Sequence, residues 1–265
     1  MSYIKRSFVK IFEKDNLINK EHYHVFIMEI SVVIPAYNEE KRIEPTLKRA
    51  INYLRSHFDN YEIIVVDDCS TDNTNNIVSK YKKNNVKSLR NKKNKGKGYS
   101  VKHGIQNAKY SLVLFSDSDL ATPIEELGKF MHHIKEYDIV IASRNMKESN
   151  IKVKQPLCRQ LMGKTFPLLV NLIALRGFKD TQCGFKLFKT DIAKKVVSLQ
   201  TFERFSFDVE ILFIAKKLGY KIKEVPVVWI DKEGSKVSPI KDSIKMLIDL
   251  FKIRYNSLLG KYKVR

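Results

Sequence analysis

The sequence predicts an α/β fold in which helices flank a mostly parallel central sheet. Apolar runs at residues 30–34, 61–66 and 112–115 have the length and the β-branched content of buried strands. An amphipathic helical segment at residues 43–58 separates the first two runs. Because strands and helices alternate at short intervals, the strands are expected to lie parallel in a doubly wound sheet.

The later segments continue this alternation. Further strands are predicted at residues 86–89, 138–142 and 221–228, with a short strand that ends near residue 188. Helices are predicted at residues 98–108, 123–135, 159–175 and 207–218, and residues 145–156 are expected to form a polar loop. No Gly-x-Gly-x-x-Gly motif follows the first strand, which argues against a dinucleotide-binding dehydrogenase.

The composition favours an anionic partner. The 265 residues include 49 Lys and Arg against 29 Asp and Glu, which gives a net charge of +20. Such a charge suits nucleic acid, an acidic membrane or a phosphorylated substrate, although lysine bias without any partner gives the same count. Cys69, Cys158 and Cys183 show no zinc-ligand spacing, and so sparse a set favours a reducing, cytosol-facing location.

Basic amphipathic segments are predicted at both ends of the central domain. Residues 1–28 form an N-terminal extension, which is either a short helix on an anionic surface or a frayed terminus. Residues 239–265 form a C-terminal helix with Ile244 and Phe251 on an apolar face. This helix is expected to lie on a membrane surface, to pack against the sheet, or to do both with different faces. The longest apolar run, residues 166–175, is half of the roughly 20 residues that cross a bilayer.

Two carboxylates follow the strand at residues 112–115. Asp117 and Asp119 are one residue apart, and ligands of open α/β sheets collect at the carboxyl ends of strands. Oxygen ligands of this kind suit Mg²⁺ or Mn²⁺, which commonly bridges one or two carboxylates to substrate phosphates. The alternative is a solvated turn in which the aspartates cap the next helix.

Several motifs, in this order, each follow a predicted strand. They are Ile-Pro-Ala-Tyr-Asn-Glu-Glu at 34–40, Val-Val-Asp-Asp-Cys-Ser at 65–70, Gly-Lys-Gly at 96–98 and Asp-Ser-Asp at 117–119. Together they resemble family 2 glycosyltransferases, which have the GT-A (Rossmann-like) fold. The second half, through Ser-Arg at 143–144, residues 180–188, 203–210 and 229–236, resembles dolichyl-phosphate β-glucosyltransferases more closely than dolichyl-phosphate mannose synthases.

This resemblance implies an inverting transfer of glucose from UDP-glucose to dolichyl (polyprenyl) phosphate, with residues 29–238 as the catalytic domain. The product would be dolichyl β-D-glucosyl phosphate. GDP-mannose or another nucleotide sugar is the alternative donor within the same class. A basic nucleic-acid-binding protein is the alternative of a different class, but the basic residues surround loops and apolar helical faces, so no nucleic acid is expected as a partner.

The resemblance also assigns residues to the donor. The nucleotide-sugar pocket would be formed by Pro35, Tyr37, Glu39, Val66, Asp68, Lys97, Asp117, Ser118, Asp119 and Lys236. Asp117 and Asp119 would bind the Mg²⁺ or Mn²⁺ ion. Mannose synthases can add a Gln ligand two residues after the second Asp, where this chain has Ala121. Cys69 replaces the usual glycine of its turn, whereas Asp67 is expected to cap a helix.

On the acceptor side, Arg144 and Arg159 match family positions that hold the lipid phosphate, although Arg159 is alternatively a surface charge of its helix. Mannose synthases can offer a serine four residues after Arg159, where this chain has Gly163, and the adjacent Lys164 is expected to compensate by binding the phosphate. Asp208 aligns with the carboxylate that serves as base in other family 2 enzymes, and Asp180 is a second candidate for a catalytic or orienting role. A lipid-borne acceptor further implies a monotopic protein, associated with the cytoplasmic face of a membrane.

Overall fold

The computed structural model describes residues 28–152, 157–231 and 239–263, with the backbone alone at 157–164 and 239–243. Within these ranges the strands are β1 Glu29–Ala36, β2 Asn60–Asp67, β3 Val86–Arg90, β4 Leu112–Ser116, β5 Ile139–Ser143, β6 Asn150–Ile151, β7 Phe185–Lys189, β8 Ile222–Pro226 and β9 Val228–Trp229. The α-helices are α1 Ile43–His57, α2 Thr74–Ser79, α3 Lys97–Gln106, α4 Leu127–His133, α5 Leu157–Ile173, α6 Thr190–Ser198, α7 Phe207–Lys217 and α8 Pro239–Leu258.

One mixed sheet organises these elements, in the strand order β3-β2-β1-β4-β7-β5-β8. β1 pairs in parallel with β2 and β4, β2 with β3, and β5 with β8, whereas β7 runs antiparallel to both of its neighbours. The carboxyl ends of β1, β2, β4 and β5 therefore meet at one edge of the sheet. The predicted mostly parallel α/β architecture is confirmed.

The two faces of the sheet bury separate apolar clusters. On β1, Val32 and Ile34 pack in the cluster that contains Leu47 of α1. Val33 points the other way and packs in the cluster that contains Val101 of α3. This alternation follows from the period of two along a strand, and it explains why the first strand reads as a continuous apolar run.

Three features differ from the sequence-based expectations. β7 is antiparallel and inserted between β4 and β5, and α6 follows it directly at a segment for which no helix was predicted. Within the expected polar loop at 145–156, the two-residue strand β6 pairs with β9. Apolar periodicity identifies strands and helices, but it carries no information on strand order, and two-residue strands are too short to show a pattern.

The predicted C-terminal helix is present as α8 and packs against the domain, whereas its expected contact with a membrane surface stays a prediction. Met246, Leu250 and Ile253 are buried against the domain, whereas Ile244 and Phe251 are exposed. The N-terminal segment, residues 1–27, lies outside the described residues. Among those that are described, no helix is both long and apolar enough to cross a bilayer.

Candidate active site

The loops that follow β1 and β2 form one wall of the site. Pro35 and Val66 are paired across the two strands, and Tyr37 follows directly after β1. The backbone N–H of Asn38 donates to Ser70 Oγ at 2.9 Å, so the loop after β1 is fixed to the loop after β2. The predicted nucleotide-pocket residues of these two segments are thus adjacent in the fold.

Glu39 connects this wall to helix α1 and to the start of α2. Its carboxylate accepts two hydrogen bonds from Arg42, at 2.7 and 2.9 Å. Its backbone N–H donates to Thr74 Oγ1 at 2.8 Å. The side chain is buried, so Glu39 supports the conformation of the loop.

Asp68 holds the basic glycine loop in place. Its two carboxylate oxygens accept hydrogen bonds from the backbone N–H of Lys95 at 2.9 Å and of Gly96 at 2.7 Å, and from Asn91 Nδ2 at 2.7 Å. Gly96 has a φ of 105°, a backbone conformation that side-chain-bearing residues rarely adopt. Asp68 therefore determines where helix α3 begins.

The neighbouring Asp67 has a different role from the one predicted. Its Oδ1 accepts the backbone N–H of Ser70 at 2.8 Å, and its Oδ2 lies 3.3 Å from the Arg90 guanidinium. The expected helix cap is therefore wrong, because Asp67 closes a tight turn at the end of β2. Asp72, which accepts the backbone N–H of Thr74 at 3.0 Å, is the carboxylate next to the start of α2.

The acidic loop after β4 faces the start of α3. Lys97 Nζ lies 2.7 Å from Asp117 Oδ1, and the two side chains are 28% and 31% exposed. Asp119 Oδ1 accepts the backbone N–H of Ala121 at 2.9 Å, so this carboxylate closes its own turn. Ser118 lies between the two aspartates, and its backbone carbonyl oxygen accepts a hydrogen bond from Thr46 Oγ1 at 2.7 Å.

Gly184 leaves room for the Asp117 carboxylate, because it has no side chain. The backbone N–H of Asp117 donates to Gly184 O at 3.0 Å. A Cβ added to Gly184 would lie 2.0 Å from Asp117 Oδ2, far inside van der Waals contact. The observed position of the Asp117 carboxylate is therefore compatible only with glycine at position 184.

Negative charge is concentrated around Lys97. Burial raises the pKa of Asp119 above its ordinary value, and the nearby Asp117 carboxylate raises it further. Burial alone would lower the pKa of Lys97, but Asp117, Asp208 and Asp119 outweigh that effect and raise it. The lysine is therefore a firmly protonated cation within a group of three carboxylates.

This acidic group fits a hard divalent cation that has few protein ligands. Asp117 Oδ1 is buried, and its charge is balanced by the Lys97 ammonium group at 2.7 Å. Across the described part of the chain, no cluster of three or more His, Cys, Asp or Glu side chains could hold a metal ion. Asp117 and Asp119 can supply carboxylate oxygens, and further ligands would have to come from a bound molecule or water.

Arg144, at the carboxyl end of β5, is held by Asp180. Its Nε and a terminal nitrogen donate to the two carboxylate oxygens at 2.6 and 2.9 Å, and its backbone N–H donates at 3.0 Å. Burial opposes the charged form of Asp180, but the guanidinium outweighs it and lowers the pKa of the carboxyl. Arg144 also lies over the Trp229 ring, at 5.6 Å from its centroid.

Asp208, in the first turn of α7, is paired with a buried lysine. Lys186 Nζ donates to Asp208 Oδ1 in a short charge-assisted hydrogen bond and to Cys183 O at 2.7 Å. The pKa of Asp208 is raised, since burial outweighs the attraction of Lys186 and Lys97. Sequence reasoning assigned no role to Lys186, although a lysine inside the apolar strand β7 was an available signal.

The structure brings most of the predicted residues to one edge of the sheet. The Asp117 carboxylate interacts electrostatically with Lys97, Asp119, Asp208 and Arg144. The remaining predictions lie beyond what is described: Lys236 is outside the described residues, and Arg159 and Lys164 lie in the part of α5 whose side chains are not described.

Comparisons with known proteins show the family to which the chain belongs. The family model "Glycosyl transferase family 2" matches residues 31–197. A dolichyl-phosphate β-glucosyltransferase of Dictyostelium discoideum is 38% identical over 251 residues, which are 89% of this chain and 77% of that protein. The protein of the same name from Homo sapiens is 35% identical over 252 residues, 89% of this chain and 78% of that protein.

A solved structure shows the same fold. Glucosyl-3-phosphoglycerate synthase from Mycobacterium tuberculosis, in complex with Mn²⁺, UDP and phosphoglyceric acid, resembles this chain with a TM-score of 0.64 at 18% identity. The similarity covers 90% of this chain and 80% of that one. The predicted GT-A-like fold is thereby confirmed.

The family model and the curated relatives define a sugar-transferring class of enzyme, and the GT-A-like fold is consistent with it. The chain belongs to glycosyl transferase family 2, and its predicted resemblance to the dolichyl-phosphate β-glucosyltransferases is confirmed.

Proposed function

We propose that the protein transfers glucose from UDP-glucose to dolichyl phosphate with inversion at the anomeric carbon. The proposal is carried by one observation: Asp117 shares a single charged cluster with Lys97, Arg144 and Asp208. A site with carboxylates for a cation and a guanidinium for a phosphate suits a reaction between a nucleotide diphosphate sugar and a phosphate acceptor. The names of the curated relatives support glucose and dolichyl phosphate.

On the donor side, Asp117 and Asp119 would hold Mg²⁺ or Mn²⁺. When bound, this cation neutralises charge on the departing diphosphate. Lys97 would add a positive charge beside it, and Lys236 is proposed for the same purpose. UDP and Mn²⁺ in the mycobacterial structure with this fold support a uridine nucleotide and a divalent ion.

The nucleotide itself would lie against the wall formed by Pro35, Tyr37, Glu39 and Val66. Asp68 is proposed to act on the nucleotide chiefly through the glycine loop, because its two oxygens already accept hydrogen bonds from that loop. This role positions Lys97 for the diphosphate.

On the acceptor side, Arg144 would bind the phosphate of the lipid. Arginine presents a planar fork that matches phosphate geometry, and Asp180 fixes the plane of this guanidinium. Asp180 is therefore proposed as a positioning residue, since a carboxylate with a lowered pKa is a poor base. Arg159 and Lys164 are proposed to add positive charge from α5.

The acceptor does not require a strong general base. A phosphate monoester loses its second proton with a pKa of about 6, so its oxygen is largely ionised at neutral pH. Asp208 is accordingly proposed to balance the charges of Lys186 and Lys97. A single displacement by the phosphate oxygen would convert an α-linked donor into a β-linked product.

The lipid acceptor also implies association with a membrane surface, proposed to be its cytoplasmic face. Helices α5 and α8 pack together, and both carry exposed apolar side chains. These exposed residues are Leu168, Leu172, Ile244, Ile248, Phe251, Tyr255 and Leu258. Exposed Lys245 and Lys252 on α8 suit anionic lipid, to which each basic residue near the surface contributes about 1 kcal/mol.

A donor screen tests the proposal. Purified protein, dolichyl phosphate and Mg²⁺ or Mn²⁺ are offered labelled UDP-glucose, other UDP-sugars and GDP-mannose in turn, and the lipid product is analysed for its anomeric configuration. A β-glucosyl lipid formed from UDP-glucose, and lost in Asp119→Ala, is the expected result. Turnover with GDP-mannose alone would replace the proposal with a mannose transfer, and an α-linked product would refute inversion.

A further inference from the structure

The side chain of Lys97 is paired with the acidic loop after β4. Its ammonium group lies 2.7 Å from Asp117 Oδ1 and 5.4 Å from the centroid of the Phe115 ring. Less than a third of the side chain is exposed, so water screens the ion pair only partly. The pair is therefore a substantial interaction that any other cation must replace.

The backbone holds Lys97 at this position. It is the first residue of α3, and the two residues before it donate their backbone N–H groups to Asp68. Gly98, immediately after it, is packed so closely that an added Cβ would lie 2.7 Å from Phe207 Cβ. With both flanks fixed, the ammonium can leave Asp117 only by rotation of the lysine side chain.

The surrounding charges make Lys97 the counterion of the acidic loop. Asp117, Asp119 and Asp208 all favour its charged form, whereas the fully buried Lys186 is hydrogen-bonded to Asp208. A divalent cation held by Asp117 would share the carboxylate whose charge Lys97 neutralises. A divalent cation bound next to Asp117 would also repel the ammonium group of Lys97.

We infer that Lys97 competes with the divalent cation for Asp117 and releases this carboxylate when a nucleotide diphosphate offers its ammonium a new partner. Lys97 thereby couples metal binding to donor binding: the site has a low affinity for free metal and a high affinity once the diphosphate is present. The inference rests on the proposed function, because it assigns the diphosphate to this site.

The test is Mn²⁺ binding to the full chain, followed by the electron paramagnetic resonance signal of free Mn²⁺, without nucleotide. Lys97→Met is expected to bind Mn²⁺ at least about tenfold more tightly than the wild type, because a partly buried positive charge next to the ligands is removed. Lys97→Arg, which keeps the charge, and Lys93→Met, which removes an exposed charge from the same loop, are expected to stay within about twofold of the wild type.

In the presence of UDP, the difference in binding between Lys97→Met and the wild type should reverse. Lys97→Met is expected to bind UDP with Mn²⁺ more weakly than the wild type, because the diphosphate loses its ammonium partner. A Lys97→Met protein that binds free Mn²⁺ no more tightly than the wild type would overturn the inference. If circular dichroism shows that this variant is unfolded, Lys97→Gln replaces it. Independently, wild-type protein that binds Mn²⁺ equally well with and without UDP would overturn the coupling.

The two proposals fail in different ways. If the wild type binds Mn²⁺ but no UDP or UDP-glucose at any metal concentration, the proposed function is wrong. If it binds UDP with Mn²⁺ while Lys97→Met leaves the affinity for free Mn²⁺ unchanged, the function stands and only the competition by Lys97 is refuted.

Discussion

At the scale of single residues, Cys69 shows how a substitution can be tolerated at a cost. It has a φ of 63°, the left-handed conformation that glycine adopts without strain. The resemblance placed a glycine at this position, and the fold has kept the backbone that glycine would favour. Its Sγ lies 3.9 Å from Lys92 O, a contact too weak to compensate for the strain.

Cys69→Gly is therefore expected to stabilise the protein. Removing the left-handed strain gains about 1–2 kcal/mol, from which the added entropy of glycine in the unfolded chain subtracts about 0.5–1 kcal/mol. Urea unfolding measures the difference. Cys69→Ala is the matched control, since it removes the sulfur but keeps the Cβ, and equal stability of the Gly and Ala variants would contradict the strain.

Gly184→Ala is expected to reduce transfer activity by about a hundredfold or more with a smaller effect on folding, because the new Cβ must displace the Asp117 carboxylate. The assay is transfer of labelled glucose, with thermal unfolding measured in parallel. Gly177→Ala provides the control, because an added Cβ there meets nothing within 4 Å, although the φ of 96° at that position imposes strain. Full activity in Gly184→Ala would show that the position of Asp117 is not critical.

The sequence was sufficient to find the charged residues of the site but not their partners. The two aspartates after β4 and the glycine loop before α3 stand out as motifs, since ligands meet at strand ends. That Lys97 pairs with Asp117, or Lys186 with Asp208, follows from how β4, β7 and α7 pack, which no local pattern encodes. The predicted helix-capping role of Asp67 was wrong for the same reason, because its partners Ser70 and Arg90 are brought together by the fold.

At the scale of elements, one carboxylate joins three strands at the edge opposite the site. Asp138, just before β5, accepts hydrogen bonds from Lys189 Nζ at 2.9 Å and from the backbone N–H of Lys221 at 3.0 Å. Burial opposes its charged form, but these donors outweigh burial and lower its pKa below the ordinary value. Asp138 thus connects β5 to the end of β7 and the start of β8.

The sign of this shift predicts an acid-sensitive contribution to stability. Because the folded pKa is the lower one, the stabilisation is complete above the unfolded pKa of about 3.9 and is lost as the pH falls through the folded pKa. We expect wild type to exceed Asp138→Asn in unfolding free energy by about 1 kcal/mol near neutral pH and by progressively less as the pH falls below about 3.9. Urea titrations at several pH values measure this difference, and a constant difference would contradict the prediction.

The elements differed in how well periodicity predicted them. β1, β2 and β4 were evident because each is a buried apolar run closed by polar residues. The antiparallel insertion of β7 was not, since strand direction depends on the connection between strands rather than on the strand itself. Only contacts distant in sequence decide that β7 lies between β4 and β5.

At the scale of the whole molecule, the exposed apolar residues are concentrated on α5 and α8. Phe251 is 58% and Leu258 86% exposed, whereas the inner face of α8 is buried in the domain. One face of α8 thus completes the core, and the opposite face presents apolar side chains at the surface. The sequence predicted an amphipathic helix, and the fold shows which of its residues are buried in the domain and which are exposed.

Vesicle sedimentation tests whether this surface binds lipid. With vesicles of phosphatidylcholine and phosphatidylserine, the double variant Phe251→Ser, Leu258→Ser is expected to lose most of the binding, because each substitution removes about 1.5–3 kcal/mol of apolar burial. Ile151→Ser serves as the control, since Ile151 is an exposed apolar residue outside both helices. Equal binding by the double variant and the control would exclude this surface.

The central claim is that Asp117 organises the transfer of a sugar from a nucleotide diphosphate to a lipid phosphate. The most direct test is single-turnover transfer of labelled glucose from UDP-glucose to dolichyl phosphate by wild type, Asp117→Asn and the control Asp138→Asn. We predict that Asp117→Asn is slower by about a hundredfold or more while the control transfers at the wild-type rate. Transfer by Asp117→Asn at the wild-type rate would contradict the account.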